Sequence, residues 1–256
     1  YHAESGQPHA EVNALSQAGD KAKGGILLVT LEPCCHQGKT PPCTEAIIKA
    51  GIRTVICSLK DPDPRVSGSG LLRLKQAGIE VINGVLQEEA AFQNRHFIFR
   101  VETGRPWGIL KWAMSLDGRI SLPNGASKWI STPSSRQWVH RLRSQCDAII
   151  VGGGTLRKDN PLLTTRGISN KEPLRVVFSR TCNFSGDLTV WNTEVAKTIL
   201  AYGPDSKDSV AALDLPLGPD FLLLKNSEPK CLLESLADKG CNRVLWECGA
   251  SLASFA

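Results

Sequence analysis

Residues 30–43 read TLEPCCHQGKTPPC, and PHAEVNAL stands ahead of them at 8–15. GGILLVTLEP (24–33) is a short apolar run, partly β-branched, that reads as a buried strand stopped by Pro33. AEVNALSQAG (10–19) and CTEAIIKAG (43–51) have helical spacing and end at Gly19 and Gly51. His9 and Cys43 therefore fall at helix starts, and Cys34 just past a strand. RTVICSL, GLLRLKQAG and IEVINGV continue as strand, helix, strand. Short strands separated by helices predict an α/β fold with parallel crossovers.

RVETGRP (100–106) is polar with Gly and Pro, and reads as a connection between domains 1–99 and 107–256. A second α/β series follows. It comprises strand WGILKWAMSL, helix PSSRQWVHRLRSQ, strands DAIIVGG, LRVVFS, KTILAYG and FLLLK, helix EPKCLLESLADKG and strand NRVLWECG. Ser131 or Thr132 can cap the first of these helices ahead of Pro133. YGPDSKDSVAALDLPLGPD is the most loop-like portion.

The 256 residues are 41% hydrophobic and 21% charged, the balance of a folded globular chain. A net charge of +5, spread without a Lys/Arg run, argues against nucleic acid and suits a small anionic substrate. No apolar stretch has the roughly 20 residues that a bilayer-spanning helix needs, and the first residues do not read as a signal peptide. Nine cysteines, an odd number, predict no disulfide framework and point to a reducing compartment: cytoplasm, or plastid stroma. Both ends read as cut, since Tyr1 enters almost directly into a motif and ECGASLASFA stops in the first turns of a helix.

His9, Cys34 and Cys43 make a three-ligand set for zinc, which in catalytic sites leaves a fourth position for water. Two thiolates and a neutral imidazole balance the ion's charge. Glu11, two residues from His9, is the candidate catalytic acid/base. Nucleobase deaminases pair a His-x-Glu, whose Glu is not a ligand, with a Pro-Cys that binds zinc. His9-Ala10-Glu11 and Pro33-Cys34 match that pattern, although eight residues separate Cys34 from Cys43 where two are usual. A closed structural site would instead recruit His36 or Cys35.

PCCHQGKTPPC, continued by DPDPRVSGSGLLRLKQAGIEV, resembles the deaminase domain of the bifunctional riboflavin-biosynthesis deaminase/reductases, whose metal loop has this longer spacing. The resemblance implies a cytidine-deaminase-like three-layer domain in which His36, Lys39, Thr40, Asp61 and Asp63 contact the substrate. Asp63 stands where the family often has Asn, and a merely solvated charge is the lesser alternative for Lys39. Further strands and a helix are then expected ahead of Tyr1.

LKWAMSLDGRIS (110–121), SKWIS (127–131), RLRSQCDAIIVGGGTLRKDNPLLTTR (141–166) and LWECGAS (245–251) resemble, in order, the same family's reductase domain, which has a dihydrofolate-reductase-like α/β fold. Gly152, Gly153 and Gly154 would let backbone approach a cofactor, but Arg157 replaces the last Gly of a Rossmann fingerprint. The resemblance places Ala113, Trp129, Thr155, Asp159 and Gly249 at NADPH positions. It places Ser127, Arg143, Leu163, Arg166 and Glu247 around the substrate, with Lys111 and Asp117 shaping the site. Arginine forks suit phosphate; Trp129 read alone favours core packing.

The expected activities are zinc-dependent deamination of a phosphorylated diaminopyrimidine, then NADPH-dependent reduction of its ribosyl chain to ribityl. No nucleic-acid or membrane partner is expected, and a homo-oligomer is compatible with the reading. Alternatives are a deaminase with an inactive reductase-like domain, a nucleic-acid-editing deaminase, and a zinc-stabilised module without activity.

Overall fold

The computed structural model of the chain describes residues 6–38, 40–64, 66–122, 129–216 and 218–255. Lys39 and Ser127 lie outside the described residues. The chain divides into two compact units, residues 1–102 and 103–256.

The first unit alternates helix and strand: α1 (Ala10–Ala18), β1 (Ile26–Leu31), α2 (Cys43–Lys49), β2 (Thr54–Leu59), α3 (Ser69–Gln76) and β3 (Glu80–Asn83). The strands pair in the order β1-β2-β3, all parallel, with Leu28 opposite Ile56 and Cys57 opposite Asn83. Ile47 of α2, Val55 of β2, Leu74 of α3 and Ile79 share one buried cluster. The reading of β1 as a fully buried strand is corrected. It is an edge strand, its burial alternates, and Leu28 is 72% exposed because no described residue covers that face.

A helix α4 (Gln87–Thr103) follows, to which the sequence pattern assigns nothing. The chain stays helical through Thr103, and the division between the two units falls between residues 102 and 103, within the 100–106 stretch. Glu88 and Glu89 in its first turn and Arg100 in its last complement the helix dipole, a signal stronger here than apolar periodicity.

The second unit holds β4 (Trp107–Leu110), α5 (Pro133–Ser144), β5 (Ala148–Gly152), α6 (Gly153–Asp159), β6 (Leu174–Phe178), β7 (Thr198–Tyr202), α7 (Lys207–Ala211), β8 (Asp220–Leu223), α8 (Pro229–Asp238), β9 (Arg243–Trp246) and α9 (Ala250–Ala253). Six parallel strands run in the order β4-β9-β5-β6-β7-β8. The period-2 alternation of the strands divides the core between two faces. Ile149, Val151, Val177, Leu200 and Leu245 pack with Trp191 on one. Ile150, Val176, Ala201, Val244 and Trp246 pack with Leu232 and Leu236 of α8 on the other. Each fully buried Val, Leu or Ile among these contributes roughly 1.5–3 kcal/mol of transfer free energy. Thr132 is the cap of α5, accepting from the Ser135 amide at 3.2 Å ahead of Pro133. Two readings are corrected: the strand expected over 107–116 stops at Leu110, and the loop-like portion after Tyr202 contains α7.

Two candidate active sites, one on each unit

The three expected metal ligands meet in the first unit. His9 is the N-cap of α1, Cys34 follows β1, and Cys43 is the first residue of α2. His9 Nδ1 lies 3.6 Å from Cys34 Sγ and 3.2 Å from Cys43 Sγ, and the three ligating atoms all fall within 4.8 Å of one another. Tetrahedral zinc with ordinary Zn–N and Zn–S lengths sets its nitrogen and sulfur ligands about 3.6 Å apart, so this donor set fits the ion. Neither Cys35 nor His36 belongs to the group, so among the described residues no fourth ligand closes it. Thr40 sits with its Oγ1 3.4 Å from His9 Nε2, where it orients the imidazole so that Nδ1 faces the sulfurs.

Cys34 accepts from the Cys43 thiol and, at 3.3 Å, from the Cys43 amide, which holds its pKa down at about 5. Cys43 is pushed up because it donates to Cys34, is buried, and faces the Glu11 carboxylate. Glu11, in the first turn of α1, thus lies against a metal ligand without belonging to the ligand group.

The loop after β2 carries Asp61 and Asp63. Asp61 Oδ1 accepts from the Asp63 amide at 2.9 Å, and burial raises the Asp61 carboxyl, with His36 acting in the opposite direction. One residue that motif reasoning passed over lies beneath this loop. Glu32 is 3% exposed and accepts four backbone N–H bonds from 61–71.

In the second unit, a cleft of about 1570 Å³ opens at the carboxyl ends of β4, β5, β6 and β9, where parallel sheets bind ligands. All described members of the expected cofactor set line it: Ala113, Trp129, Thr155, Asp159 and Gly249. So do Arg143, Leu163, Arg166, Glu247 and Lys111, whereas Asp117 does not. Trp129 is not core. It is 70% exposed, with the Arg136 guanidinium 4.2 Å from its ring centre.

The glycines have distinct jobs. A Cβ on Gly153 would meet Ser179 Oγ at 2.9 Å, so packing requires its smallness. A Cβ on Gly154 would meet nothing within 4 Å, leaving open space at the cleft wall. The Gly249 amide donates to Thr155 Oγ1 at 3.1 Å, joining the starts of α9 and α6. Open space beside Gly154 and the volume of the cleft fit a dinucleotide together with a sugar phosphate.

Arg143 does not present a free fork. Its Nε and Nη2 donate to the Glu247 carboxylate at 2.6 and 3.0 Å, and its Nη1 donates to the Thr164 carbonyl at 2.8 Å. Lys111 Nζ is 4.0 Å from the same carboxylate. The neighbouring loop holds Leu163 and Arg166 at φ 55, a left-handed conformation that side chains avoid. Glu172 accepts from the Thr165 amide (2.7 Å) and hydroxyl (2.8 Å), and the buried Arg175 donates to the Leu162 carbonyl at 3.3 Å. Neither residue stands in a motif, so no sequence signal points to this clamp. His140 also lines the cleft, with its Nδ1 buried and unpartnered among the described residues.

Two family models match the chain. The cytidine and deoxycytidylate deaminase zinc-binding region matches residues 1–59, and the RibD C-terminal domain matches 106–255. The chain is 48% identical to riboflavin biosynthesis protein RibD of Synechocystis sp. over 257 residues, covering all of this chain and 70% of the relative. It is 42% identical to the Aquifex aeolicus protein of the same name, covering all of this chain and 72% of that one. Among solved structures, a deaminase/reductase from Thermotoga maritima superposes with TM-score 0.82 at 38% identity, over 98% of this chain and 70% of its own. RibD of Acinetobacter baumannii superposes with TM-score 0.85 at 38% identity, over 99% and 70%.

Proposed function

The chain belongs to the RibD family of riboflavin biosynthesis proteins, and from that membership we propose how its residues divide the family's two reactions. The chain is an enzyme that combines deamination with reduction. Residues 1–99 are assigned the deaminase and 107–256 the reductase. The substrate is a phosphorylated diaminopyrimidine that carries a ribosylamino chain.

His9 Nδ1, Cys34 Sγ and Cys43 Sγ would hold the zinc. When bound, zinc supplies Lewis acidity and makes hydroxide available near neutral pH. Glu11 moves the protons, carrying one from the attacking water to the ring nitrogen and a second, from the hydroxyl of the resulting adduct, to the departing ammonia. Its position against Cys43, outside the ligand group, is the observation that carries this assignment. His36, Lys39, Thr40, Asp61 and Asp63 are assigned to hold the pyrimidine. Thr40 also keeps the His9 ring in register.

NADPH supplies the hydride. Ala113, Trp129, Thr155, Asp159 and Gly249 are assigned to hold it, and hydride transfer chiefly requires cofactor and sugar to be kept in register. Leu163, Arg166 and Ser127 are assigned to the substrate. Arg143 and Glu247 act there as a fixed pair whose edge lines the cleft. Among the described residues, no helix is long and apolar enough to cross a membrane.

Glu11→Gln tests the first assignment. Zinc content and folding persist, while deamination falls by roughly 10²–10⁴-fold, the usual contribution of a positioned acid/base. Loss of zinc with the carboxylate would make Glu11 a ligand and overturn its assignment as the proton carrier.

A further inference from the structure

We infer that Glu32 is a positioning residue of the deaminase pocket, fastening the loop of Asp61 and Asp63 to the strand end that presents Cys34. The inference rests on the reading that this loop faces the pyrimidine.

Glu32 is the first residue after β1 and lies two before Cys34. Its own amide donates to the Leu59 carbonyl at 2.9 Å, so the backbone at this point still follows β2. Its side chain turns into the protein. Oε2 accepts from the amides of Asp61 at 3.2 Å and Gly68 at 2.8 Å. Oε1 accepts from those of Gly70 at 2.8 Å and Leu71 at 3.2 Å. Helix α3 has Gly68 at its N-cap, with no side chain to satisfy its first amides. A carboxylate from another segment performs that service, and the helix dipole favours its charge.

Capping alone would need only Gly68, Gly70 and Leu71. The bond to Asp61 does something more. Asp61 Oδ1 holds the Asp63 amide, and the Asp63 carbonyl accepts from Val66 and Ser67 at 2.9 Å each. The loop is thus a chain of bonds whose side-chain anchor is Glu32. The fit is close on the other side too, because a Cβ on Gly70 would overlap the Pro33 carbonyl. Only a carboxylate suits the site. Its oxygens offer about four acceptor positions, whereas an amide offers two and turns two N–H groups toward amides that also donate.

The test is deaminase kinetics and zinc analysis on the full chain, for wild type, Glu32→Gln, Asp63→Asn and the double variant. Glu32→Gln is expected to raise KM at least tenfold, change kcat less than threefold, and retain one zinc per chain. Asp63→Asn should add little to KM once Glu32 is replaced, because both act through one loop. A merely structural role lowers the active fraction, and with it kcat, at unchanged KM, and its effects multiply with those of Asp63→Asn; either result overturns the inference. A wild-type chain without deaminase turnover overturns the functional reading and this inference with it. An active wild type whose Glu32→Gln variant keeps its KM overturns this inference alone. If Glu32→Gln does not fold, hydrogen exchange on the wild type decides. Slow amides at Asp61, Gly68, Gly70 and Leu71 together support the anchor; slow exchange at 68–71 with fast exchange at Asp61 reduces Glu32 to a helix cap.

Discussion

Arg143 and Glu247 stand 104 residues apart in the chain and meet as a two-bond pair, Nε to Oε1 at 2.6 Å and Nη2 to Oε2 at 3.0 Å, with both side chains about nine-tenths buried. The pair joins α5 to the end of β9 across the floor of the cleft. Removing one partner leaves the other charge buried and unmatched, which costs about 3–5 kcal/mol. Glu247→Ala should lower the thermal midpoint and abolish reduction. Arg143→Lys keeps the charge but loses the fork and its bond to Thr164. Reduction should fall there as well, with less loss of stability. Calorimetry and NADPH oxidation measure the two effects, and an unshifted midpoint in Glu247→Ala contradicts the pairing.

Zinc removal should separate the activities. The metal set lies wholly in the first unit, and every residue lining the large cleft lies in the second. Dialysis against a chelator is expected to abolish ammonia release and leave NADPH oxidation on deaminated substrate nearly unchanged. Equal loss of both activities would contradict independent sites.

Adjacent glycines should respond in opposite ways. Gly153→Ala pushes a methyl against Ser179, Arg157 and Phe184, and overpacking of this kind destabilises by roughly 1–3 kcal/mol. Gly154→Ala meets open space within a helix, so stability should hold or rise by up to about 1 kcal/mol. The new methyl faces the cleft, and KM for NADPH should rise. Paired unfolding curves and cofactor titrations check both.

Glu172→Gln should act at a distance from the cleft. One oxygen of the carboxylate pair that holds Thr165 becomes a donor, which costs roughly 1–3 kcal/mol. The left-handed turns at Leu163 and Arg166 lose their support. The expected result is a higher KM for the reductase substrate with deamination untouched, read in separate assays.

Acid should weaken the second unit through His140. Burial lowers its pKa below 6.5, and Arg143, Arg166 and Arg136 reinforce that shift against Glu247. The unfolded chain therefore binds this proton more readily than the folded one, and stability rises with pH in this window. The contribution is present above pH 6.5 and is lost as pH falls through the lowered folded value. His140→Gln should flatten the fall in denaturation midpoint between pH 7 and 5, as seen in urea titrations across that range.

Local sequence is enough to pick out the candidate ligand set, the carboxylate beside it and the alternation of strands and helices. His9, Glu11, Cys34 and Cys43 are legible because metal chemistry demands particular residue types at short spacings, and helix starts are written in local punctuation. The second motif set is legible only as a resemblance, since a triple glycine and scattered arginines specify no geometry alone. Folding settles what depends on partners distant along the chain. Glu32 reads as one more residue of a strand end until 61–71 folds over it, and Arg143 reads as a phosphate fork until β9 delivers Glu247. Glu172 and Arg175 carry no local pattern, because what they bind is backbone, and backbone has no sequence. Strand β1 looks buried from its composition, and its exposed Leu28 follows from a sheet face that no described residue covers, which side-chain order along one strand does not encode.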